Sequence, residues 1–125
     1  MRKAEADWRA ATRLGRGTDP LYDVVCFHCQ QCAEKYLKGL MEEAALTVPK
    51  IHDLTDLLAD LRPHYPSLRS LRRGLHFLTH FAVGIRYPGD NATKRQAASA
   101  LRWADRVRTE ARALLGIRAR RKKAK

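Results

Sequence analysis

The sequence predicts an all-α fold: an up-and-down antiparallel bundle of four to five helices, followed by a basic C-terminal tail. Apolar residues recur at helical spacing along most of the chain, as at Ala4, Trp8, Ala11 and Leu14. No stretch alternates like a β-strand, and no hairpin turn lies between β-branched runs. The breaks between helices are short, which favours antiparallel packing of neighbouring helices.

Residues that start or stop helices divide this pattern into five predicted helices. Asp19 and Pro20 are typical of a helix start, as an N-cap and a first-turn proline, and Gly116 is typical of a C-cap. The predicted helices span residues 3–14, 20–45, 53–61, 67–84 and 92–115.

Charge is concentrated at the C-terminus of this one-domain chain. The formal net charge is +12, and six of the last eight residues are Lys or Arg. We therefore predict a helical domain over residues 1–117 and a disordered tail over residues 118–125, although such a tail can also hold phosphates. No apolar run has the length of a membrane span or the character of a signal peptide, which predicts a soluble, cytoplasmic protein.

The three cysteines, Cys26, Cys29 and Cys32, have a spacing that raises the question of a metal or iron–sulfur site. On a helix, Cys26 and Cys29 fall on the apolar stripe and Cys32 falls at its edge. No fourth cysteine follows, and no Gly or Pro between them would let the backbone wrap around a cluster. We predict three small packing residues, with no metal and no cofactor.

The stretch that begins "YDVVCFHCQQCAEKYLKGL" and continues through "HDL" to "RYPG" resembles the HEPN family over roughly residues 20–90. The family pattern has a polar signature helix, a short loop with proline, a His-Asp-Leu helix start and a late Arg-Tyr-Pro. The matching residues are Phe27, His28, Gln30, Gln31, Glu34, Lys35, Leu37 and Lys38, then Pro49, His52, Asp53 and Leu54, then Arg86, Tyr87 and Pro88.

This resemblance implies a small prokaryotic helical bundle that forms a homodimer. It implies a partner, a minimal nucleotidyltransferase encoded beside such domains, and a setting of toxin–antitoxin or defence systems. Nucleotide binding was proposed for the family, many members are metal-independent ribonucleases, and others have no known catalysis.

The ribonuclease members carry Arg followed four to six residues later by His. The chemistry needs a group for proton transfer, which His supplies near neutral pH, and a cation for the phosphate. By resemblance, the Arg here is Arg86 and the residue in the His position is Asn91, which cannot transfer protons in this way. Asn91 is predicted instead to cap the fifth helix, with Asp90 as a competing cap. Arg86 could bind helix-end carbonyls or a carboxylate such as Glu34.

A second basic set lies on the predicted fourth helix, where Arg69, Arg73, His76 and His80 fall on one narrow stripe. Leucines occupy the opposite side of this helix. The stripe is interpreted either as a solvated polar face or as a surface that contacts phosphate or RNA. Catalysis by Arg73, His76 and His80 across a dimer interface is a further hypothesis, since the spacing also meets the loose ribonuclease formula.

The polar residues of the signature helix have two interpretations. Gln31, Glu34 and Lys38 could form a nucleotide- or RNA-binding cleft with Arg86 and His52. Alternatively, Glu34 and Lys38 form an ordinary ion pair one helical turn apart, and His52 caps the third helix together with Asp53.

The sequence as a whole favours a HEPN-type module that binds a nucleotide, an RNA or a partner and lacks strong catalysis of its own. The alternative is a metal-independent RNA endonuclease that uses Arg and His across a dimer interface. No Walker loop, dinucleotide fingerprint or metalloprotease motif is present.

Overall fold

The computed structural model describes residues 1–16, 21–82 and 91–117. This part of the chain contains five α-helices and one 3₁₀ helix, so the predicted all-α class is confirmed. None of these helices is both long enough and apolar enough to cross a membrane. The elements are α1 (Arg2–Leu14), α2 (Tyr22–Glu43), α3 (Leu54–Leu61), the 3₁₀ helix (Pro66–Leu71), α4 (Arg72–Thr79) and α5 (Lys94–Leu114).

Helix α2 lies at the centre of the bundle and contacts each of the other four α-helices, most extensively α1 and α5. Its predicted apolar stripe is buried, including Tyr36, Leu37 and Leu40. Helix α5 meets the core with small residues, since Ala97, Ala100, Ala104 and Ala111 are buried along its inner face. Small side chains allow close approach of neighbouring helices, and α3 and α4 complete the core with leucines.

All three cysteines are fully buried, and none of them forms a disulfide bond. Cys26 and Cys29 were predicted to be buried, and Cys32 lies as deep as they do instead of at the edge of the stripe. The reason is that α2 is packed on several sides, so residues flanking its main stripe are also covered.

Helix ends agree in part with the prediction. Asp53 caps α3, and its carboxylate accepts a hydrogen bond from the Thr55 amide at 2.9 Å. Gly116, with φ of 77°, follows α5 in the left-handed conformation, and the amide of Ile117 donates back to Arg112 at 2.8 Å. The predicted start at Asp19 and Pro20 and the predicted tail lie outside the described residues.

The predicted continuous fourth helix over residues 67–84 is wrong at its start and at its end. Residues 66–71 form a 3₁₀ helix and the α-helix begins at Arg72 and ends at Thr79. Leu68 and Leu71 are both buried, and three residues per turn place positions three apart on one face. Pro66 at the first position suits this start, because its missing amide is not needed there.

The predicted N-cap of the fifth helix is also wrong. Thr93, not Asn91, caps α5, and it accepts a hydrogen bond from the Gln96 amide at 3.0 Å. Gln96 accepts in return from the Thr93 amide at 2.9 Å, which completes a capping box. This reciprocal pair satisfies two helix-end amides, whereas a single Asn cap satisfies one.

Candidate functional site

The polar residues of α2 on the side of α3 form one hydrogen-bonded cluster. Fully buried Gln30 donates to Glu34 Oε1 at 2.9 Å and to the backbone oxygen of His52 at 3.3 Å. Lys38 Nζ lies 3.0 Å from Glu34 Oε2, and His52 Nδ1 lies 3.0 Å from Glu34 Oε1. Gln31 joins through Gln30, to which it donates at 2.7 Å. The predicted set of Gln31, Glu34, Lys38 and His52 is thus brought together.

Glu34 is the centre of this cluster, with 6% of its surface exposed. Burial by itself raises the pKa of the carboxyl, but hydrogen bonds from Gln30, His52 and Lys38 outweigh it and hold the pKa below its usual value of 4.5. The folded pKa is the lower one, so the charged carboxylate stabilises the fold at pH above 4.5. That contribution is lost as the pH falls through the lowered value.

A second set of contacts ties α2 to α1. Asp7, which is 7% exposed, accepts from His28 at 2.7 Å and from Lys35 at 2.5 Å. Two of the signature residues therefore point at a buried carboxylate of α1. His28 and Lys35 can bind Asp7 only because α1 packs beside α2, an arrangement that the tertiary structure decides.

Glu5 of α1 joins α1, α2 and α5. It receives two hydrogen bonds from the Arg108 guanidinium, at 2.6 and 2.8 Å, and one from the Tyr36 hydroxyl. Burial raises the pKa of Glu5, but Arg108 and Tyr36 together lower it below 4.5. Arg112 donates to the Tyr36 hydroxyl at 3.2 Å. This pairing of Glu5 with Arg108 was not predicted from the sequence, because 103 residues separate them.

The cysteines are buried in the hydrophobic core. Burial raises the pKa of Cys32 to about 12 and raises that of Cys29 further, so neither is a ready thiolate. Within residues 1–16, 21–82 and 91–117, no group of three His, Cys, Asp or Glu side chains is arranged to hold a metal ion.

The exposed side of α4 carries a basic surface. Arg72, Arg73 and His76 line a surface cavity of about 350 Å³ together with Thr55 of α3. The rings of His76 and His80 meet edge to face, with centroids 5.2 Å apart. The structure thus groups three of the four predicted stripe residues and adds Arg72, which the sequence analysis did not single out.

Arg69 lies apart from this group. It lines a different surface cavity, with Arg62, Pro63 and Pro66 between the end of α3 and the 3₁₀ helix. A 3₁₀ helix turns about 120° per residue instead of 100°, so the angle that placed Arg69 on the stripe of α4 does not apply.

Among the described residues, these exposed arginines differ from Arg108 in having no ion pair. In the described part of the chain, no carboxylate lies within 4.0 Å of Arg62, Arg69, Arg72 or Arg73. An acidic group does stand at one edge: hydrogen bonds from Thr55 hold the pKa of Asp53 below its usual value, and the electrostatic effect of nearby His76 lowers it further. Among the described residues, the arginines of this surface form no ion pair, and Asp53 is a carboxylate at its edge beside His76.

Helix α5 continues the basic surface across a close helix contact. Gly74 of α4 lies directly against the ring of Trp103, and no side chain would fit between them. The guanidinium of Arg106 lies over the same indole, 4.7 Å from its centroid. Arg106 was not predicted from the sequence, although the helical spacing of Arg95, Arg102 and Arg106 is a signal that could have found it.

Arg86, Tyr87 and Pro88 lie outside the described residues, so the predicted partnership of Arg86 with Glu34 stays a prediction. Asn91 is described and exposed, one residue before Ala92, whose amide donates to the Asp23 carboxylate.

Comparison with known proteins agrees with these features. A family model described as HEPN domain matches residues 1–114, beyond both ends of the segment that the motifs cover. Neither the curated proteins nor the solved structures gave a match. The match covers nearly the whole chain, and the helical order and signature helix agree with it. The chain therefore belongs to the HEPN domain family.

Proposed function

We propose that this protein is a HEPN module that binds the phosphate groups of RNA or of a nucleotide without strong catalysis of its own. The single observation that carries the proposal is the basic surface of α4, where Arg72, Arg73 and His76 line one cavity and the arginines have no carboxylate partner among the described residues. Exposed guanidinium groups bind phosphate oxygens in a two-pronged geometry and release counterions.

The polar cluster of the signature helix also favours α4 as the phosphate site, because its own polar groups are already hydrogen-bonded. Lys38 and His52 both hydrogen-bond Glu34, and Gln31 joins them through Gln30, which favours a role in holding α2 against the start of α3. Their contact with a ligand, with or without Arg86, remains a prediction. A phosphate at Lys38 would compete with Glu34 for the ammonium group, whereas one at Arg72 or Arg73 meets no such competitor within the described structure.

The test is binding of a fluorescent 12-nucleotide single-stranded RNA, followed by anisotropy in EDTA. The variant Arg72→Gln/Arg73→Gln should bind about tenfold more weakly, because two phosphate contacts are lost. The matched control Arg9→Gln/Arg13→Gln removes the same charge from exposed positions of α1. Equal weakening in both variants, or no binding by the wild type, would contradict this site.

The proposal extends to partners. The HEPN family supports a homodimer that works beside a minimal nucleotidyltransferase in a toxin–antitoxin or defence setting. Co-expression with a nucleotidyltransferase encoded nearby should give a complex that survives size-exclusion chromatography. Separate elution of the two proteins at micromolar concentration would contradict the partnership.

The alternative function is a metal-independent ribonuclease. The observation that favours it is the contact between His76 and His80 on the same exposed helix as Arg73, which offers two imidazoles near a cation. The measurement is RNA cleavage in EDTA by the wild type, by Arg86→Ala and by His76→Ala/His80→Ala. Cleavage that is lost in either variant would establish the ribonuclease and identify its site, while equal cleavage by all three would indicate a contaminant.

A further inference from the structure

The outer face of α5 carries a row of arginines that the proposed site on α4 does not use. Arg95, Arg102 and Arg106 are all exposed, and at seven- and eleven-residue spacing they lie on one side of the helix. In the described part of the protein, none of the three has a carboxylate within 4.0 Å. The buried alanines of α5 mark the opposite side, so this row faces away from the core.

This row adjoins the surface of α4. Trp103 of α5 packs on Gly74 of α4, and Gly74 directly follows Arg73 in the chain. Arg106 lies over the same indole, which places its guanidinium beside the contact between the two helices. The nearest acidic groups of α5 are engaged elsewhere: Glu110 accepts from Ser67 at 2.6 Å, and Asp105 lies 3.8 Å from Arg108. The basic surface therefore continues from α4 to α5.

The length of the row indicates the kind of ligand. Eleven residues of α-helix between Arg95 and Arg106 span about 16 Å. Successive phosphates of one strand rise about 3.4 Å along a duplex, so this distance covers several nucleotides and exceeds the reach of a single nucleotide's phosphates. A row of separate cations matches a polyanion better than a compact phosphate.

We infer that Arg95, Arg102 and Arg106 extend the α4 site into a continuous path for an RNA strand several phosphates long, with Trp103 as a positioning residue that holds Arg106. This inference rests on the proposed phosphate binding at α4 and narrows its ligand from nucleotide or RNA to RNA. The cation–π contact orients the guanidinium over the indole and leaves its nitrogen edges available for phosphate oxygens.

The experiment uses the full chain and a fluorescent 12-nucleotide oligouridylate, with anisotropy measured between 50 and 200 mM salt. The variant Arg95→Gln/Arg102→Gln/Arg106→Gln should bind at least about tenfold more weakly. The slope of the logarithm of the binding constant against the logarithm of the salt concentration should become shallower by about two units, because each single-stranded phosphate contact contributes about 0.7. The control Arg2→Gln/Arg9→Gln/Arg13→Gln removes three exposed charges from α1 and should keep the wild-type slope. AMP in excess should not displace the oligonucleotide.

The role of Trp103 has a separate readout. Arg106→Gln and Trp103→Leu should lower the affinity to a similar extent, and Trp103→Phe should restore most of it because a phenyl ring still holds the guanidinium. Circular dichroism of each variant checks folding, and Arg106→Gln alone carries the comparison if Trp103→Leu unfolds.

Two outcomes overturn the inference. In the first, the α5 triple variant keeps the wild-type affinity and salt slope while Arg72→Gln/Arg73→Gln binds weakly. This result would support phosphate binding at α4 and contradict its extension along α5. In the second, AMP displaces the oligonucleotide when the two are present at similar concentrations, which would show a compact nucleotide site instead. If both the α4 double variant and the α5 triple variant bind as the wild type does, the proposed function itself is contradicted.

Discussion

The two sides of the bundle differ in whether their charged side chains have partners of opposite charge. Where α2 meets α1 and α3, the carboxylates of Asp7 and Glu34 are nearly buried, and each binds at least two donors of α2 or of the loop before α3. On the outer faces of α4 and α5, arginines are exposed without a carboxylate partner in the described residues. We will call these the paired side and the basic face.

This difference shows that a polar residue that belongs to a family motif is not necessarily available to bind a ligand. The signature residues of α2 are polar because they join helices across the paired side. Arg72, Arg102 and Arg106 belong to none of the quoted motifs, yet they retain their charge toward solvent. The comparison predicts that mutations on the paired side reduce stability and mutations on the basic face reduce RNA binding.

The largest effect is expected at Glu34. Glu34→Ala leaves fully buried Gln30, partly buried Lys38 and exposed His52 without their shared acceptor, which should lower the free energy of unfolding by about 3 kcal/mol. Glu42→Ala, an exposed glutamate of the same helix, should change it by less than about 0.5 kcal/mol. Urea denaturation measures both. Similar values for the two variants would mean that the cluster contributes little to folding.

The next effect separates two arginines of one helix. Arg108→Gln breaks the two hydrogen bonds to Glu5 and should cost about 2 kcal/mol of stability. Arg102→Gln, six residues earlier, should cost less than about 0.5 kcal/mol and weaken RNA binding instead. Thermal melts and anisotropy on both proteins measure this exchange. The comparison of the two sides breaks down if Arg108→Gln is the variant with the weaker RNA binding.

A smaller effect is expected from a pair of glycines. Gly74→Ala places a methyl group inside the ring of Trp103, so α4 and α5 must separate, at a cost of about 1.5 kcal/mol. Gly39→Ala of α2 meets only the end of the flexible Met1 side chain, and the better helix former should add up to about 1 kcal/mol. Urea denaturation should give opposite signs for the two changes. Stabilisation by Gly74→Ala would show that the helix contact is looser than described.

The smallest effect tests the backbone where α2 and α5 end. Ala45 has φ of 59° in the same left-handed position that Gly116 occupies after α5. Ala45→Gly should therefore stabilise the protein by about 1 kcal/mol, and Gly116→Ala should destabilise it by about the same amount. Both changes are read from the thermal midpoint, and neither should alter RNA affinity. A fall in the midpoint for Ala45→Gly would contradict the strain at that residue.

Several features could be predicted from the sequence because they depend on neighbouring residues. The spacing of apolar residues predicts α2 and its buried face, Asp53 predicts the start of α3, and Gly116 predicts the end of α5. Two local predictions failed: the fourth helix starts with a 3₁₀ helix over residues 66–71 and ends at Thr79 instead of residue 84, and Thr93 with Gln96 replaced Asn91 as a cap. Both failures concern choices among turn geometries that differ by little free energy.

The candidate site was predictable only in part. His76 and Arg73 share a helix face whatever the tertiary structure, so their grouping follows from the sequence. Arg72 joined them because Thr55 of α3 completes a common cavity, and Arg106 became part of the same face because Trp103 packs on Gly74. Those contacts join separate helices and leave no local signal.

The sequence by itself determined the all-α class, the order of most helices and the residues of the core, since helical periodicity is a property of short segments. The tertiary structure decided which charges are neutralised. Asp7 binds His28 and Lys35, Glu34 binds His52, and Glu5 binds Arg108 only because α1, α2, α3 and α5 pack in this arrangement. An ion pair needs two side chains within a few ångströms, and for residues far apart in the chain only packing brings them that close.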